Sequence, residues 1–239
     1  MLLTLTECAP LTADVHRWTL AGPNGVTRPG QFVQIALPGL YLRRPISVCD
    51  WTENTLTLVF RQVGAGTAKM AALRPGEQVD VLSPLGNGFD PEACGCRPLL
   101  AGGGVGLPPL IGLGRALLKK GCQPILAAGF RHTADLFLVD EARSLGLETV
   151  VVTEDGSAGE KGLVTDVLDR LSFDSLCACG PLPMLKALHH RVRVPSQFSL
   201  EERMGCGFGA CMGCSIQTKE GPKRVCADGP VFRGEALDW

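Results

Sequence analysis

The first 90 or so residues contain short apolar stretches that are separated by turns. Each stretch is bounded by Gly, Pro, Asn or Asp, and the stretches are VHRWTLAGP, QFVQIALP, PISVCDW, TLTLVFRQV and EQVDVLSP. Short strands at this spacing are typical of an antiparallel barrel or sandwich. One segment between them, GTAKMAALRPG, has helical periodicity and predicts a single capped helix.

The pattern changes after PLGNGFDPEACGCRP. Short apolar runs now alternate with helical segments: RPLLAGGG, CQPILAAGF, LETVVVTE and DSLCACGP alternate with PPLIGLGRALLKKG, ADLFLVDEARSLG, GLVTDVLDRL and PMLKALHHRV. Alternating strands and helices predict a parallel sheet with crossover helices on its faces. From about residue 197 the pattern fades into a Gly- and Cys-rich tail. A tail this small is not expected to fold on hydrophobic burial alone, and it predicts a metal centre that holds it together.

These patterns predict a multidomain protein of mixed β and α/β class. We expect an antiparallel β-barrel over residues 1–92, a parallel-sheet α/β domain over 93–196 and a small Cys-rich segment over 197–239. A chain of 239 residues is long enough for two or three small domains, and 45% hydrophobic residues are enough to build their cores.

Charge and composition exclude several classes of protein. The net charge is −1 with neither a basic stripe nor an acidic tail, which argues against nucleic-acid or anionic-membrane binding. The start, MLLTLTECAPL, lacks a basic region and is interrupted by Glu7 and Pro10, so it does not predict a signal peptide. No apolar run approaches the ~18 residues of a membrane span. Eleven cysteines without a secretion signal indicate a reducing, cytoplasmic location.

Four cysteines in the tail have a specific spacing. The segment GCGFGACMGCSIQTKEGPKRVCADGP reads C-x4-C-x2-C with a distant fourth cysteine, which is the plant-type 2Fe–2S spacing. Structural zinc sites usually show two short C-x2-C knuckles, and here only one half has that spacing. Four unconnected thiols would not explain the glycines between the cysteines, which let the backbone wrap closely around sulfur. The predicted iron ligands are Cys206, Cys211, Cys214 and Cys226, and the glycines are Gly205, Gly207, Gly209 and Gly213.

The remaining cysteines lie in or beside apolar runs. Cys179 belongs to a further motif and is treated with it. The others are most simply interpreted as small core residues, namely Cys8, Cys49, Cys94, Cys96, Cys122 and Cys177.

Two strand ends predict a dinucleotide site. The segment LLAGGGVGLPPL places Gly103, Gly104 and Gly106 between a buried strand and a helix, where backbone N–H groups and the helix dipole can hold a pyrophosphate. The spacing differs from G-x-G-x-x-G, and glycines also allow tight strand–helix packing for structural reasons alone. A second strand ends at Cys179-Gly180-Pro181 and opens another helix. Two such ends side by side would form a crevice at the carboxyl edge of the sheet.

Two segments of the barrel half are candidates for phosphate contacts. In YLRRPISVCD, Arg44 can form a charge-assisted bond to a phosphate and Ser47 can reach a polar ring edge, although a solvated arginine is the default interpretation. Downstream, Gly64-Ala65-Gly66-Thr67 at the start of the predicted helix is a second possible phosphate cradle.

Together these segments resemble those of a known superfamily. A barrel with Arg-x-x-Ser, followed by a sheet domain with Gly-Gly-x-Gly-x-x-Pro and Cys-Gly-Pro, is similar to the ferredoxin–NADP reductase superfamily. With the tail EERMGCGFGACMGC…RVCADGPVF, the whole chain resembles one branch, the electron-transfer subunits of dihydroorotate dehydrogenase B.

This resemblance implies cofactors and the residues that bind them. FAD would be lined by Arg44, Pro45, Ile46, Ser47, Val59, Phe60 and Arg61, with its pyrophosphate at Gly66 and Thr67. NAD would contact Gly103, Gly104 and Gly106, with Cys179, Gly180 and Pro181 near its nicotinamide end. Many reductases of the superfamily have Tyr where this chain has Ile46, and the favoured branch resembles this chain in having Ile there. An aliphatic group stacks more weakly on a flavin.

The resemblance also implies a function. Electrons would pass from dihydroorotate, oxidised in a partner subunit that contains FMN, through the 2Fe–2S cluster and FAD to NAD⁺ in pyrimidine (UMP) biosynthesis. The complex would be a heterotetramer of two subunits of each kind. Alternatives with the same modules are a reductase subunit of a sulfide dehydrogenase, transhydrogenase or hydrogenase, and a redox sensor without turnover. Arg131, just after ILAAGF, leaves NADP open as the dinucleotide.

The chain offers no catalytic acid or base for orotate chemistry, because His16, His132, His189 and His190 are scattered. Its contribution would be electron transfer, and the partner would hold the organic substrate. Met204, Phe208 and Met212 surround the cysteines, and they either dock that partner or shield the cluster from water.

Overall fold

The structure is a computed structural model that describes residues 1–239. Six antiparallel strands close a barrel in the order β1-β2-β5-β4-β3-β6, so the barrel rather than the sandwich is the observed form. One helix, α1, lies between β5 and β6. The elements are β1 (Leu2–Pro10), β2 (Val15–Ala21), β3 (Phe32–Ile35), β4 (Arg44–Trp51), β5 (Thr55–Arg61), α1 (Ala65–Ala72) and β6 (Gln78–Leu85).

Strand β1 closes the barrel, and the strand pattern above does not include it. Leu2 pairs with Asp80 and Thr4 with Gln78 of β6, while the other edge of β1 pairs with β2. Leu3 and Leu5 alternate into the barrel core, where they lie with Trp18 and Met70. The apolar start of the chain is therefore a strand of the fold.

A seven-stranded sheet follows the barrel, in the order β10-β9-β8-β7-β11-β12-β15. Its first six strands are parallel, as predicted, and β15 is antiparallel to β12. The elements are β7 (Pro98–Gly103), α2 (Leu107–Lys119), β8 (Ile125–Phe130), α3 (Val139–Ser144), β9 (Glu148–Thr153), β10 (Glu160–Lys161), β11 (Ser175–Cys179), α4 (Leu182–Arg191) and β12 (Ser196–Ser199).

Two of the predicted helices differ in the structure. The segment GLVTDVLDRL forms 3₁₀ turns over Val164–Arg170, in agreement with the low α-helix propensity of its β-branched residues and aspartates. In ADLFLVDEARSLG the helix begins only at Val139, because Leu138 has a left-handed backbone with φ of 60°.

The strand order places the dinucleotide motifs together. Strand β7 comes first along this half of the chain, and later strands add on one side as β8, β9 and β10 and on the other as β11 and β12. The order therefore reverses between β7 and β11, where Ala101 pairs with Ala178. Ligands in open α/β sheets bind at the carboxyl ends of the strands at such a switch point.

The barrel packs against α2 of the sheet domain. Val59 of the barrel and Leu107 and Ile111 of α2 belong to one buried cluster. At its edge, Arg115 of α2 forms an ion pair with Asp50 of β4. This packing determines where the Arg44–Ser47 segment stands relative to the sheet.

The Cys-rich tail is held by more than its cysteines. After β12 the chain forms the hairpin β13 (Ser215–Thr218) and β14 (Gly221–Arg224), then returns as β15 (Val231–Arg233) to the edge of the sheet. Phe232 and Leu237 of the tail are buried in the sheet core. The tail therefore has hydrophobic packing on the sheet in addition to the predicted metal centre, and the predicted boundary at residue 197 falls inside β12. No helix is long and apolar enough to cross a membrane.

Candidate functional site

The Arg-x-x-Ser segment begins strand β4 at the barrel surface. Arg44, Pro45, Ile46 and Ser47 are all half-buried. Ile46 packs against the barrel core from its outer layer. Because β4 pairs with β3, Pro45 lies opposite Gln34, which becomes important for the position of the cysteines.

Arg44 and Gly66 meet although they lie in different elements. A Cβ atom built on Gly66 would collide with Nε, Cδ and Cζ of Arg44, so the arginine side chain lies directly over the first turn of α1. The N-terminus of a helix carries free N–H groups and a partial positive charge, and the guanidinium adds a full one. The pair forms a cationic cradle that fits a pyrophosphate.

Thr67 completes this turn from the inside. Its hydroxyl accepts hydrogen bonds from the backbone N–H groups of Val63 at 2.8 Å and Gly64 at 3.2 Å, and it donates to the Gly64 carbonyl at 3.1 Å. The Thr67 side chain is buried and locally engaged, so it shapes the cradle and leaves its outer face to Arg44 and the backbone.

The three residues predicted on β5 point in different directions. Phe60 lies inside the barrel, with its ring edge-on to Trp18 at a centroid distance of 5.3 Å. Val59 is buried in the cluster between barrel and sheet. Only Arg61 reaches open space, where it lines the cleft and pairs with Asp14 at 3.1 Å.

A cleft of about 620 Å³ lies at the carboxyl ends of the sheet strands. It brings together most of the predicted dinucleotide residues and adds Arg61 from the barrel. The predicted residues that line it are Gly103, Gly104, Gly106, Gly180 and Pro181. The volume and the mixed lining are in the range of ligand-binding clefts.

Gly106 makes the close approach at the base of this cleft possible. A Cβ at this position would collide with the carbonyl group of Cys179, so the turn after β7 lies directly on the end of β11. The neighbouring Gly180 has φ of +151° and its own Cβ position faces the Gly103 nitrogen at 3.0 Å. The two motifs, far apart in sequence, therefore form one surface.

Cys179 contributes to this surface through its backbone only. Its side chain is buried and not part of the cleft wall, and burial raises the pKa of its thiol to about 12.

Glu201, which follows β12, lines the cleft, and desolvation raises the pKa of its carboxyl group. Sequence reasoning missed Glu201, since no spacing rule singles out a glutamate beside the Cys-rich tail.

Two carboxylates line the cleft together with Arg131. Arg131, Asp135 and Glu154 all line it, and Arg131 Nε lies 3.6 Å from Asp135 Oδ2. Arg131, the residue that left NADP open as the dinucleotide, therefore has two carboxylates in the same cleft, and the sequence pattern did not reveal them.

The four tail cysteines form two pairs. The Cys206 N–H points at Cys211 Sγ (3.5 Å) and the Cys211 N–H at Cys206 Sγ (3.4 Å). In the second pair the Cys226 N–H points at Cys214 Sγ (3.4 Å). No three of the four are placed to hold a single metal ion. A 2Fe–2S cluster has two irons and four cysteine ligands, and two pairs of thiols fit that requirement.

The two cysteine pairs lie in different environments. The Cys206–Cys211 pair is partly exposed, and the Cys214–Cys226 pair is buried. Burial by itself would raise the pKa of Cys206, but hydrogen bonds from the backbone N–H groups of Cys211, Phe208 and Ala210 outweigh it and lower the pKa to about 6. A thiolate is the form that binds metal. Cys214 and Cys226 are buried in the sheet core, whereas Cys211 is exposed. The Cys206–Cys211 pair therefore lies at the protein surface, and the Cys214–Cys226 pair lies beneath it in the core.

Gln34 connects the cysteine loop to the Arg44–Ser47 segment. Its side chain is fully buried on β3, its Nε2 donates to the Gly205 carbonyl at 3.4 Å, and Gly207 packs directly against it. Its Oε1 has no hydrogen-bond partner within the chain. The sequence feature that could have singled out Gln34 is its polar side chain within the apolar run QFVQIALP. Gln34 thus lies between the cluster loop and Pro45 on β4.

A second contact clamps the cysteine loop. Arg224 forms two hydrogen bonds with the Asp228 carboxylate, at 2.9 and 3.1 Å, and donates from Nη1 to the Gly209 carbonyl at 3.0 Å. The Arg224 guanidinium lowers the pKa of Asp228 to about 2. The pair ties the segment before Cys226 to the loop between Cys206 and Cys211, and sequence reasoning did not find it.

The apolar residues around the cysteines divide into two groups. Phe208 and Met212 are exposed, at 62% and 54% of their surface, while Met204 packs against the sheet core. Two large apolar side chains beside an exposed iron ligand form a candidate docking surface, which we call the Phe208–Met212 surface.

Comparison with known proteins agrees with this geometry. The family of iron–sulfur cluster binding domains of dihydroorotate dehydrogenase B matches residues 201–238. The electron transfer subunit of dihydroorotate dehydrogenase B (NAD(+)) from Bacillus caldolyticus is 48% identical, with 98% of this chain and 97% of that protein covered. The corresponding subunit of Geobacillus kaustophilus has the same identity and coverage. The chain belongs to the family of dihydroorotate dehydrogenase B electron transfer subunits.

Solved structures place this family in the reductase fold. A structure of NADH-dependent reduced ferredoxin–NADP oxidoreductase has a TM-score of 0.90 and 33% identity, with 100% of this chain and 90% of that chain covered. A cytochrome P450 reductase of Amycolatopsis has a TM-score of 0.69 and 27% identity, with 80% and 66% covered. The fold class predicted from the sequence is confirmed, and so are FAD, a 2Fe–2S cluster and NAD as the cofactors of this dihydroorotate dehydrogenase B subunit.

Proposed function

We propose that this subunit passes electrons from an FMN-containing dihydroorotate dehydrogenase subunit through its 2Fe–2S cluster and FAD to NAD⁺, in pyrimidine (UMP) biosynthesis. The observation that carries the proposal is a series of contacts that leads from the cysteine loop to the dinucleotide cleft. The cysteine loop packs on Gln34, Gln34 lies opposite Pro45 of the flavin segment, and the barrel contributes Arg61 to the dinucleotide cleft.

The cofactors supply the electron chemistry and the chain supplies their positions. A 2Fe–2S centre carries one electron, NAD takes two as a hydride, and a flavin exchanges electrons singly or in pairs. Arg44 and the first turn of α1 at Gly66 and Thr67 would hold the FAD pyrophosphate. The isoalloxazine ring would lie along Pro45, Ile46 and Ser47, with the backbone of Val59 and Phe60 and the side chain of Arg61 nearby.

The dinucleotide and the cluster would be held at separate places. Gly103, Gly104 and Gly106 would approach the NAD pyrophosphate, with Gly180 and Pro181 and the Cys179 backbone towards the nicotinamide. The pairs Cys206–Cys211 and Cys214–Cys226 would bind the two irons. In this assignment the modules are 1–92 for FAD, 93–196 for NAD and 197–239 for the cluster, with β15 anchoring the last to the second.

We further propose that the partner docks on the Phe208–Met212 surface in a heterotetramer of two subunits of each kind. Electrons that cross between proteins need the cluster near the contact, and Cys211 is the exposed ligand. No side chain of the cleft is assigned to the oxidation of dihydroorotate, which we place in the partner. The cytoplasm is the proposed location, since clustered thiols persist in a reducing compartment.

Anaerobic reconstitution tests this function. The isolated subunit should reduce its FAD with NADH but should not oxidise dihydroorotate, whereas the mixture with the FMN subunit should reduce NAD⁺ with dihydroorotate. Co-purification gives the stoichiometry. The structural likeness to NADH-dependent reduced ferredoxin–NADP oxidoreductase supplies the competing outcome: full NADH–FAD activity with no dihydroorotate activity beside the FMN subunit would favour a different electron-transfer complex.

A further inference from the structure

Two cysteines outside the cluster site lie in direct contact. Cys94 Sγ and Cys177 Sγ are 3.5 Å apart, although the residues are 83 positions apart in the chain. Cys94 lies on the segment that connects the barrel to the sheet, and Cys177 lies on β11. Both were expected to be small core residues, and this is correct only for Cys177, since Cys94 is half-buried.

The two thiols share one hydrogen bond, and Cys94 Sγ also lies 3.5 Å from the carbonyl oxygen of Asp90. A hydrogen bond from Cys177 lowers the pKa of Cys94 although burial opposes it, whereas that same bond and burial raise the pKa of Cys177 well above its ordinary value. Gln197 Nε2 also points at Cys94 Sγ, at 3.6 Å. Cys94 is therefore the more acidic of the two thiols.

Gln197 holds the connecting segment in this position. Its buried side chain accepts a hydrogen bond from the Asp90 N–H at 2.8 Å and donates to the Asp90 carbonyl at 2.9 Å. The backbone N–H of Gly95 donates to Ser175 Oγ at 3.0 Å. The segment is thus fixed against β11 and β12 on both sides of Cys94, so the contact between the two sulfurs is built into the fold.

A small pocket lies beside the two cysteines, and of the two only Cys94 is partly exposed. It has a volume of about 110 Å³, and Cys94, Cys177, Gln197 and Arg233 are among its lining residues. This is several times the volume of a water molecule and admits a reagent the size of hydrogen peroxide. Arg233 and Glu235 line the same pocket and face each other at 3.9 Å, so its wall carries one charge of each sign.

We propose that Cys94 and Cys177 form a peroxide-reactive thiol pair that closes to a disulfide. The Cys94 thiolate attacks one oxygen of hydrogen peroxide, the O–O bond breaks, and the departing hydroxide takes up a proton to give water, leaving Cys94 as a sulfenic acid. Cys177 sulfur then attacks Cys94 Sγ, the S–O bond breaks, and the proton of Cys177 leaves with hydroxide as a second water. In total, two thiols and one peroxide give one disulfide and two waters.

The bridge would fasten the connecting segment to β11 two residues before Cys179. A dithiol reductant reverses it. Neither cysteine belongs to the cluster, so the pair reacts in a subunit that retains its iron.

Peptide mapping of the holoprotein tests the proposal. The anaerobically purified subunit is treated with hydrogen peroxide, its remaining thiols are alkylated, and the digest is analysed by mass spectrometry. The expected product is a Cys94–Cys177 linked peptide that disappears with dithiothreitol. The matched control, Cys122→Ser, removes a nearby half-buried cysteine and should leave the link intact. A link from Cys94 to Cys96 or Cys122, or free Cys94 and Cys177 after the cluster cysteines are oxidised, overturns the proposal.

Two substitutions at Cys177 separate the hydrogen bond from the bridge. Cys177→Ser cannot form a disulfide, so after peroxide treatment Cys94 should be trapped by dimedone as a sulfenic acid. Because serine keeps a hydrogen-bond donor, Cys94 should react with iodoacetamide as fast in this variant as in the natural sequence. Cys177→Ala removes the donor, and Cys94 alkylation at pH 7 should slow by about tenfold for each pKa unit regained. Equal alkylation rates in the two variants would show that Cys177 does not activate Cys94. Cys94→Ser should leave Cys177 reduced, and flavin absorbance reports folding of each variant.

Discussion

The guanidinium group of Arg44 lies on the first turn of α1 at a position where Gly66 has no side chain. Arg44 begins a barrel strand and Gly66 lies in the first turn of a helix, and only the closed barrel brings them into contact. The close approach concentrates positive charge at one point of the surface, next to the segment Pro45–Ser47.

Gly66→Ala should therefore weaken FAD binding. The new methyl group displaces Arg44 from the helix N-terminus, which removes about one charge-assisted hydrogen bond, worth about 1.5–3 kcal/mol or roughly ten- to a hundredfold in Kd. Fluorescence titration of the FAD-depleted protein measures it. Gly64→Ala is the matched control, since a Cβ there meets no atom within 4 Å. Equal FAD affinities for the two variants would contradict the cradle.

Cys211→Ser should abolish the 2Fe–2S cluster and leave the rest of the subunit in place. The variant lacks one of four ligands, but β15 and the buried residues Phe232 and Leu237 still hold the tail on the sheet. Iron analysis should fall from about two per chain to near zero, while NADH still reduces FAD. Cys122→Ser should keep its iron. Loss of NADH–FAD reduction in folded Cys211→Ser protein would show that the order of carriers is wrong.

Phe208→Asp should weaken assembly with the FMN subunit. Phe208 is 62% exposed beside the iron ligands, and an unpaired carboxylate buried in a contact costs on the order of 2–4 kcal/mol, or roughly 30- to 1000-fold in Kd. Co-purification and titration of the two subunits measure it, and NADH–FAD reduction by the isolated subunit should be unchanged. Leu2→Asp, at an exposed leucine of β1, is the control. Normal assembly of Phe208→Asp would place the docking surface elsewhere.

The cleft should prefer NADH to NADPH, because Asp135 and Glu154 flank Arg131 and repel a 2′-phosphate. Removing one negative charge with Glu154→Gln should raise the ratio of kcat/KM for NADPH over NADH by about tenfold, which corresponds to about 1.4 kcal/mol. Flavin reduction with each dinucleotide measures the ratio. Glu148→Gln, at the other end of β9, should not change it. An unchanged ratio in Glu154→Gln would remove this residue from the dinucleotide site.

The cysteine spacing predicted the 2Fe–2S cluster and the glycine-rich strand ends predicted a dinucleotide site, while FAD and NAD themselves followed from the resemblance to the reductase superfamily. Iron ligation and pyrophosphate binding depend on local geometry, and local geometry leaves a local signature. The alternation of strands and helices after residue 92 predicted the parallel sheet for the same reason, since each element shows its own periodicity. Strand β1 was not predicted because its apolar start resembles several kinds of segment, and only its pairing with β6 identifies it.

Tertiary structure alone decided how the modules meet. Gln34 and Gly207, Arg224 and Gly209, and Cys94 and Cys177 are distant in sequence, so no spacing rule could join them. The directions of Phe60 into the barrel and Arg61 into the cleft depend on the closure of the barrel and its packing against α2. The motifs that bind cofactors are short and local, so they can be recognised in the sequence and compared with those of a known superfamily. The order of the cofactors through the molecule depends on long-range packing, and only the folded chain sets it.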